Sequence, residues 1–269
     1  MTIVLYHDPD PRAFERHLSV LKRHYSVIGL RAFVDALSSA STSRLPRKSL
    51  IVTLDDGHRR NRALLPVLER SGVPVAIFLC ASIVGSDRLY WFKHVEDPEA
   101  LKRISDSERL ERLRVAGVPE YGEDREALSD AEIREMSGRY VDFQSHGRLH
   151  PILSRCEDEM ARAEVLGSKD ELASRYGLDI YAFSYPNGDY SERELRLVRE
   201  AGYRCAVTVE PGFNTAGTDP YRLKRICIDD PDGIDELIVK SSGLWGAIRA
   251  LSAHAAPLAA ALRRRLAPR

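Results

Sequence analysis

The chain has 269 residues, enough for one large α/β domain or two small ones. Lysine plus arginine and aspartate plus glutamate stand at 40 each, so the formal net charge is zero and no global basic field exists to recruit nucleic acid. Charged residues make up 30% and hydrophobic residues 43%, an ordinary composition for a globular protein, and the longest apolar stretch, residues 73–85, is too short to span a bilayer and contains Pro74.

Short β-rich runs alternate with helical segments. Residues 2–6 (TIVLY) predict a first strand, followed by an amphipathic helix from Pro11 to His24 in which Phe14, Leu18 and Leu21 recur at helical spacing. Residues 25–30 predict a second strand and 31–39 a short helix. The run SLIVTL at 49–54 predicts a third strand, and 59–72 a helix capped by Gly72. Further strands are expected at 74–79, 140–143, 181–185, 204–209 and 225–228, with helices over 157–176 and 191–202. Near-continuous apolar strands alternating with helices indicate a parallel sheet covered by helices, and this number of strands suits a β/α barrel. Residues 85–138 interrupt the pattern with a polar, partly helical excursion, read as an insertion on the catalytic face.

The last 29 residues, 241–269, carry five arginines and no acid, with Leu244, Trp245, Ile248 and Leu251 at helical spacing and Pro257 dividing the run. They predict a basic amphipathic helical tail behind a domain of residues 1–240, either packed on that domain or lying on anionic lipid. The opening MTIVLYHDPDPRAF has no basic region, long apolar run or small-residue cleavage site. The expectation is a cytoplasmic protein that reaches at most the inner face of the membrane, through its tail. Cys80, Cys156, Cys205 and Cys227 form no CxxC pair and read as reduced, structural thiols.

Chemistry in β/α barrels collects at the carboxyl ends of the strands. Three polar groups are expected there. The acidic pair Asp55 and Asp56, then Gly57, follows the strand at 49–54. His146 and His150 follow the strand that starts at 140. The turn Tyr185-Pro186-Asn187-Gly188 closes the strand that starts at 181. Two adjacent carboxylates after an apolar strand must be solvated, paired or metal-bound. Two imidazoles four residues apart can face one point, as metal ligands do, although chance also spaces histidines this way.

In these stretches the chain resembles the polysaccharide deacetylases, the carbohydrate esterases with the NodB homology domain. TLDDG at 53–57 and SHGRLHPIL at 145–153 look like the family's first two motifs, and FSYPNGDY at 183–190 resembles the third in its bacterial form. The segment before the first motif, with VLYHDPDP and HLSVLKRHYSVIGL, is similar to that of the poly-N-acetylglucosamine deacetylase branch. The likeness runs from about residue 3 to 230 in the family's order and spacing.

The resemblance implies a NodB-type distorted (β/α)7 barrel and a metal-dependent hydrolase that removes an N-acetyl group from an amino sugar in a glycan or glycan precursor. Asp55 matches the catalytic base, and Asp56, His146 and His150 the metal ligands. One carboxylate oxygen and two imidazole nitrogens suit a divalent ion and leave positions for water and substrate. Zinc is the first expectation, with cobalt, nickel or manganese as alternatives. Asn187 matches the residue whose backbone N–H steadies the oxyanion. No histidine lies between His150 and His254, so the general acid is expected from His7, as in the branch the N-terminus resembles. The arginine that often opens the third motif and orients the base is replaced by Ser184; Arg225, with Arg222 behind it, is the expected substitute. Tyr185, Pro186 and His58 are expected to line the substrate site. The implied partner is an N-acetylated sugar or glycan, with no nucleic acid. Competing readings are an O-acetyl esterase or small-molecule N-deacylase of the same fold, and a sugar-binding module that has lost catalysis. Asp55, Asp56, His146 and His150 argue against the last, because a binding module has no need of a base; Ser184 is the one feature in its favour.

Overall fold

The computed structural model describes residues 1–39, 45–229 and 233–243. The elements run β1 (Thr2–Tyr6), α1 (Pro11–His24), β2 (Ser26–Val27), α2 (Leu30–Ser38), β3 (Ser49–Leu54), α3 (Leu65–Ser71), β4 (Val75–Leu79), α4 (Pro98–Leu101), α5 (Asp106–Val115), α6 (Asp130–Met136), β5 (Val141–Ser145), α7 (Asp158–Tyr176), β6 (Ala182–Ser184), α8 (Glu192–Glu200), β7 (Cys205–Val207), β8 (Ile226–Cys227) and α9 (Ile234–Ser241).

Among the described residues the named strands pair in parallel, in the order β7-β6-β5-β4-β3-β1-β8, with β2 joined only to the first residues of β3. The ends of this order meet around β8. Leu223 donates its N–H to Ala206 and accepts from Thr208, while Ile228 donates to Leu5. One short segment thus bonds β7 with its first half and β1 with its second, which closes a distorted α/β barrel. Side chains alternate across a strand, and here both faces are buried. Val4, Tyr6, Leu50, Val52, Leu54, Val75 and Ile77 face the surrounding helices. Ile3, Ile51, Ala76, Phe78, Ala182, Cys205 and Val207 share a second cluster inside the barrel, into which Leu30, Phe33 and Val34 of α2 pack. Burial on both faces is why these strands read as continuous apolar runs.

Local signals account for the helix ends. The Asp10 carboxylate accepts from the N–H groups of Arg12 and Ala13, and Pro11 occupies the first turn of α1. Gly72 ends α3 in the left-handed conformation, at φ 63°. The strand expected over 25–30 shrinks to Ser26–Val27, and those expected at 181–185 and 204–209 to three residues each. At β6 the cause is visible. The Gln144 side-chain oxygen accepts from the N–H groups of Tyr181 and Ala182, bonds that a longer β5–β6 ladder would have used. The helix expected over 59–72 begins as a 3-10 turn, Arg59–Leu64, before α3.

Residues 85–138 hold α4, α5, α6 and a 3-10 turn at Trp91–Lys93. The segment is pinned to the turn after β3, where Arg59 donates to Glu126 and Leu128 to Gly57. It therefore covers the carboxyl end of the barrel. The tail expected over 241–269 lies outside the described residues apart from its first three. No helix among the described residues is long and apolar enough to cross a membrane.

Candidate active site

The strand ends bring the acidic pair and the histidine pair together. Asp55 and Asp56 leave β3, His146 leaves β5, and Asp56 Oδ1 lies 3.4 Å from His146 Nε2 and 3.5 Å from His150 Nε2. Among the described residues, these three form the one cluster of histidine, cysteine and carboxylate groups close enough to hold an ion. The backbone is bent to achieve this. Asp56, His150 and Asn187 adopt left-handed φ values of 74°, 56° and 58°, a region costly for residues other than glycine and concentrated at functional sites. Gly57, at φ 78°, completes the turn; a Cβ there would stand 2.5 Å from Leu79 Cδ2.

Asp55 is held by charge. Arg225 donates to both of its oxygens at 2.7 Å, and the Ser184 hydroxyl donates to Oδ2 at 3.0 Å while accepting from Arg225 at 3.0 Å. Arg225 is 1% exposed and enters from inside the barrel, its Nε donating to the Thr208 carbonyl. Burial raises the Asp55 pKa, but Arg225 and then His146 more than reverse that, so the carboxyl sits below the ordinary range and is ionised at neutral pH. Arg225 thus makes a two-point ion pair with Asp55. Arg222 instead pairs with Glu192 at the surface.

The other carboxylate is held by a histidine. His58 Nε2 lies 3.0 Å from Asp56 Oδ2. Burial raises the Asp56 pKa, and the hydrogen bond from His58, ahead of the neighbouring imidazoles of His150 and His146, carries it well below the ordinary range. His146 Nδ1 donates to the Ser184 carbonyl at 2.8 Å, which leaves its Nε2 lone pair facing Asp56. Burial pushes the His150 imidazole down to about 3, so the ring is neutral, the form that binds a metal. The residues fit a cation. Asp56 Oδ1 is buried without a hydrogen-bond partner, an expensive condition for a carboxylate oxygen unless an ion completes it.

These groups open into a cleft of about 130 Å³ that His7, Asn187 and Gly188 also line. Larger cavities lie elsewhere, of about 420 Å³ beside α1 and α9 and about 350 Å³ beside α5, but neither is lined by Asp56, His146 or His150. His7 follows β1 and is exposed, with its carbonyl accepting from Asn61 Nδ2 at 3.0 Å. Three residues expected to meet substrate do not line the cleft. Tyr185 is fully buried, stacks on Tyr190 and donates its hydroxyl to the Tyr221 carbonyl. Pro186 is buried beside Gly147. His58 stands behind Asp56, 5% exposed.

The wall that sequence reasoning missed comes from residues 90–93. The Tyr90 hydroxyl donates to the Asp56 carbonyl, Trp91 Nε1 to the His150 carbonyl, the Phe92 ring lies 4.8 Å from that of His150, and Lys93 Nζ lies 3.1 Å from His58 Nδ1. Phe92 and, from the turn after α4, Lys102 line the cleft. The available signal was the aromatic run YWF inside a polar segment. Glu164 of α7 was also missed; its Oε2 accepts from the N–H groups of Arg148 and Leu149, fixing the turn that carries His150. Burial pushes its carboxyl up to about 7 against those two bonds. Glu164→Ala is expected to lower stability by about 1–3 kcal/mol, the cost of leaving buried donors unmade, read as a fall in the denaturant midpoint at unchanged slope.

The family model for polysaccharide deacetylase matches residues 42–206, more than half of the chain. An uncharacterised protein of Streptomyces coelicolor is 22% identical over 172 residues, covering 64% of this chain and 52% of that protein. The chain thus spans about half the length of the curated relative it matches. Among solved structures, the deacetylase PplD of Streptococcus pyogenes in complex with acetate is similar at a TM-score of 0.67 and 19% identity, covering 90% of this chain and 97% of that one. IcaB of Ammonifex degensii gives 0.67 at 20% identity, with 89% and 96% covered, and the deacetylase domain of BpsB from Bordetella bronchiseptica 0.63 at 18%, with 85% and 96% covered. These structures share the fold. The family match runs from before β3 to β7 and so takes in the acidic pair, His146, His150 and the Tyr185–Gly188 turn: the chain belongs to the polysaccharide deacetylase family.

Proposed function

We propose that the protein hydrolyses the N-acetyl group of an amino sugar within a glycan or glycan precursor, using a divalent metal, zinc first among the candidates, held by Asp56, His146 and His150. The single observation that carries this reading is the buried, unpartnered Oδ1 of Asp56 facing Nε2 of both histidines. A bound metal would polarise the amide carbonyl and make its water more acidic. Asp55, kept ionised by Arg225 and Ser184, takes the proton of the attacking water. The backbone N–H of Asn187 supports the negative charge that develops on the carbonyl oxygen. His7, exposed at the cleft, supplies a proton to the departing amine. Similarity in fold to a deacetylase solved with acetate supports the choice of acyl group.

The clamp on Asp55 speaks against a module without catalysis. Ser184, the departure that favoured such a module, joins Arg225 in orienting the base, and a mere binding site has no use for a base so oriented. Metal analysis tests the assignment directly. Wild-type protein is expected to carry about one equivalent, and His146→Ala to lose most of it, since three protein ligands are the usual complement of a catalytic site. Equal metal content in the two proteins would sink the site.

A further inference from the structure

The two oxygens of Asp56 have different surroundings. Oδ1 faces the ligand histidines without a hydrogen-bond partner, whereas Oδ2 lies 3.0 Å from His58 Nε2. A neutral imidazole carries one proton, and the hydrogen bond made by one nitrogen decides which nitrogen bears it. On the far side of the ring, Lys93 Nζ lies 3.1 Å from His58 Nδ1. An ammonium offers three donors and no acceptor. Nδ1 must therefore accept, which puts the ring proton on Nε2, aimed at Asp56 Oδ2. The His58 ring is buried edge-on against Tyr90, with centroids 4.9 Å apart, while Lys93 reaches in from the surface across the Tyr90 face at 5.0 Å.

We propose that Lys93 is a positioning residue of the metal centre: it holds His58 in the Nε2–H tautomer, so that one oxygen of Asp56 is tied up in a hydrogen bond and the other is left for the ion. The inference rests on reading Asp56 as a metal ligand. Without the lysine, Asp56 alone holds the ring proton on Nε2; in the fraction of molecules that carry it on Nδ1 instead, a lone pair is set against Asp56 Oδ2 and the carboxylate is released to turn. The geometry also gives residues 85–138 a function beyond covering the cleft. Lys93 shares its turn with Trp91, which bonds the carbonyl of His150, so the docking of this segment and the affinity for metal are linked.

The test uses Lys93→Met, which keeps the stem and removes the donors, and Lys93→Arg, which keeps a donor. Lys93 is exposed, so neither change disturbs the core. Zinc affinity, measured by competition with a chromophoric chelator, is expected to weaken by about tenfold to a hundredfold in Lys93→Met, the usual effect of losing an outer-shell partner, and to return to within about threefold of wild type in Lys93→Arg. Nitrogen-15 NMR of the metal-free protein should show His58 protonated on Nε2 in wild type and Lys93→Arg, and on Nδ1 in a measurable fraction of Lys93→Met. A wild-type His58 protonated on Nδ1 overturns the inference, as does equal zinc affinity in wild type and Lys93→Met. Wild-type protein that binds no zinc would remove the metal reading itself, and this inference with it.

Discussion

Asp55→Asn is expected to lower turnover of an N-acetylated substrate by about two to four orders of magnitude, the usual worth of a positioned general base. Metal content should be unchanged, because the ligand cluster comprises Asp56, His146 and His150 without it. Stability should fall as well. Asp55 is the counter-charge of Arg225, which is 1% exposed, and removing one partner of a buried pair costs about 3–5 kcal/mol when nothing replaces it. Asparagine retains one acceptor oxygen, so the cost should lie toward the lower end of that range. Activity must therefore be compared at a temperature where both proteins are folded, with melting curves recorded alongside. A folded variant that turns over substrate almost as fast as wild type would make Asp55 a structural anchor and place the base elsewhere.

The second large effect concerns His7. An amine leaving the tetrahedral intermediate needs a proton, and an imidazole is the side chain whose ordinary pKa lies nearest neutrality. His7 lines the cleft with Asp55 yet is exposed, so it can exchange that proton with water. His7→Ala should slow hydrolysis of an acetamide by about two orders of magnitude or more. It should slow an activated aryl acetate far less, because a phenolate leaves without help. Metal content should match wild type, since His7 is outside the ligand cluster. Parallel rate measurements on the two substrates separate a proton donor from a residue that merely shapes the cleft. Equal losses on both would move His7 to a structural role.

Much of the frame could be read from the chain, for reasons that are local. α1 and β3 match the predicted spans residue for residue, because helical periodicity with a capping aspartate and a fully apolar run are complete within their own segments. Strand lengths were less legible. A strand ends where its ladder partner ends, and at β6 the partner's bonds are taken by the side chain of Gln144, which composition cannot reveal. One correction was available in the sequence and missed. If Ser184 faces Asp55 inside the barrel, alternation along the strand turns Tyr185 outward to the helices, where it lies.

The same division runs through the site. Asp55, Asp56, His146 and His150 are legible because each pair sits within a few residues at a strand end, and the need to satisfy adjacent carboxylates after an apolar strand is visible in one dimension. Their supports are not local. Arg225 meets Asp55 across 170 residues of chain, Lys93 meets His58 across 35, and Trp91 meets the His150 carbonyl across 59. Each of these contacts exists only after the barrel has closed and residues 85–138 have folded back over its carboxyl end. The candidate ligands and the candidate base belong to short motifs. Which oxygen of Asp56 is left open, and how Asp55 is clamped, follow from charges and hydrogen bonds that only the closed barrel brings within reach.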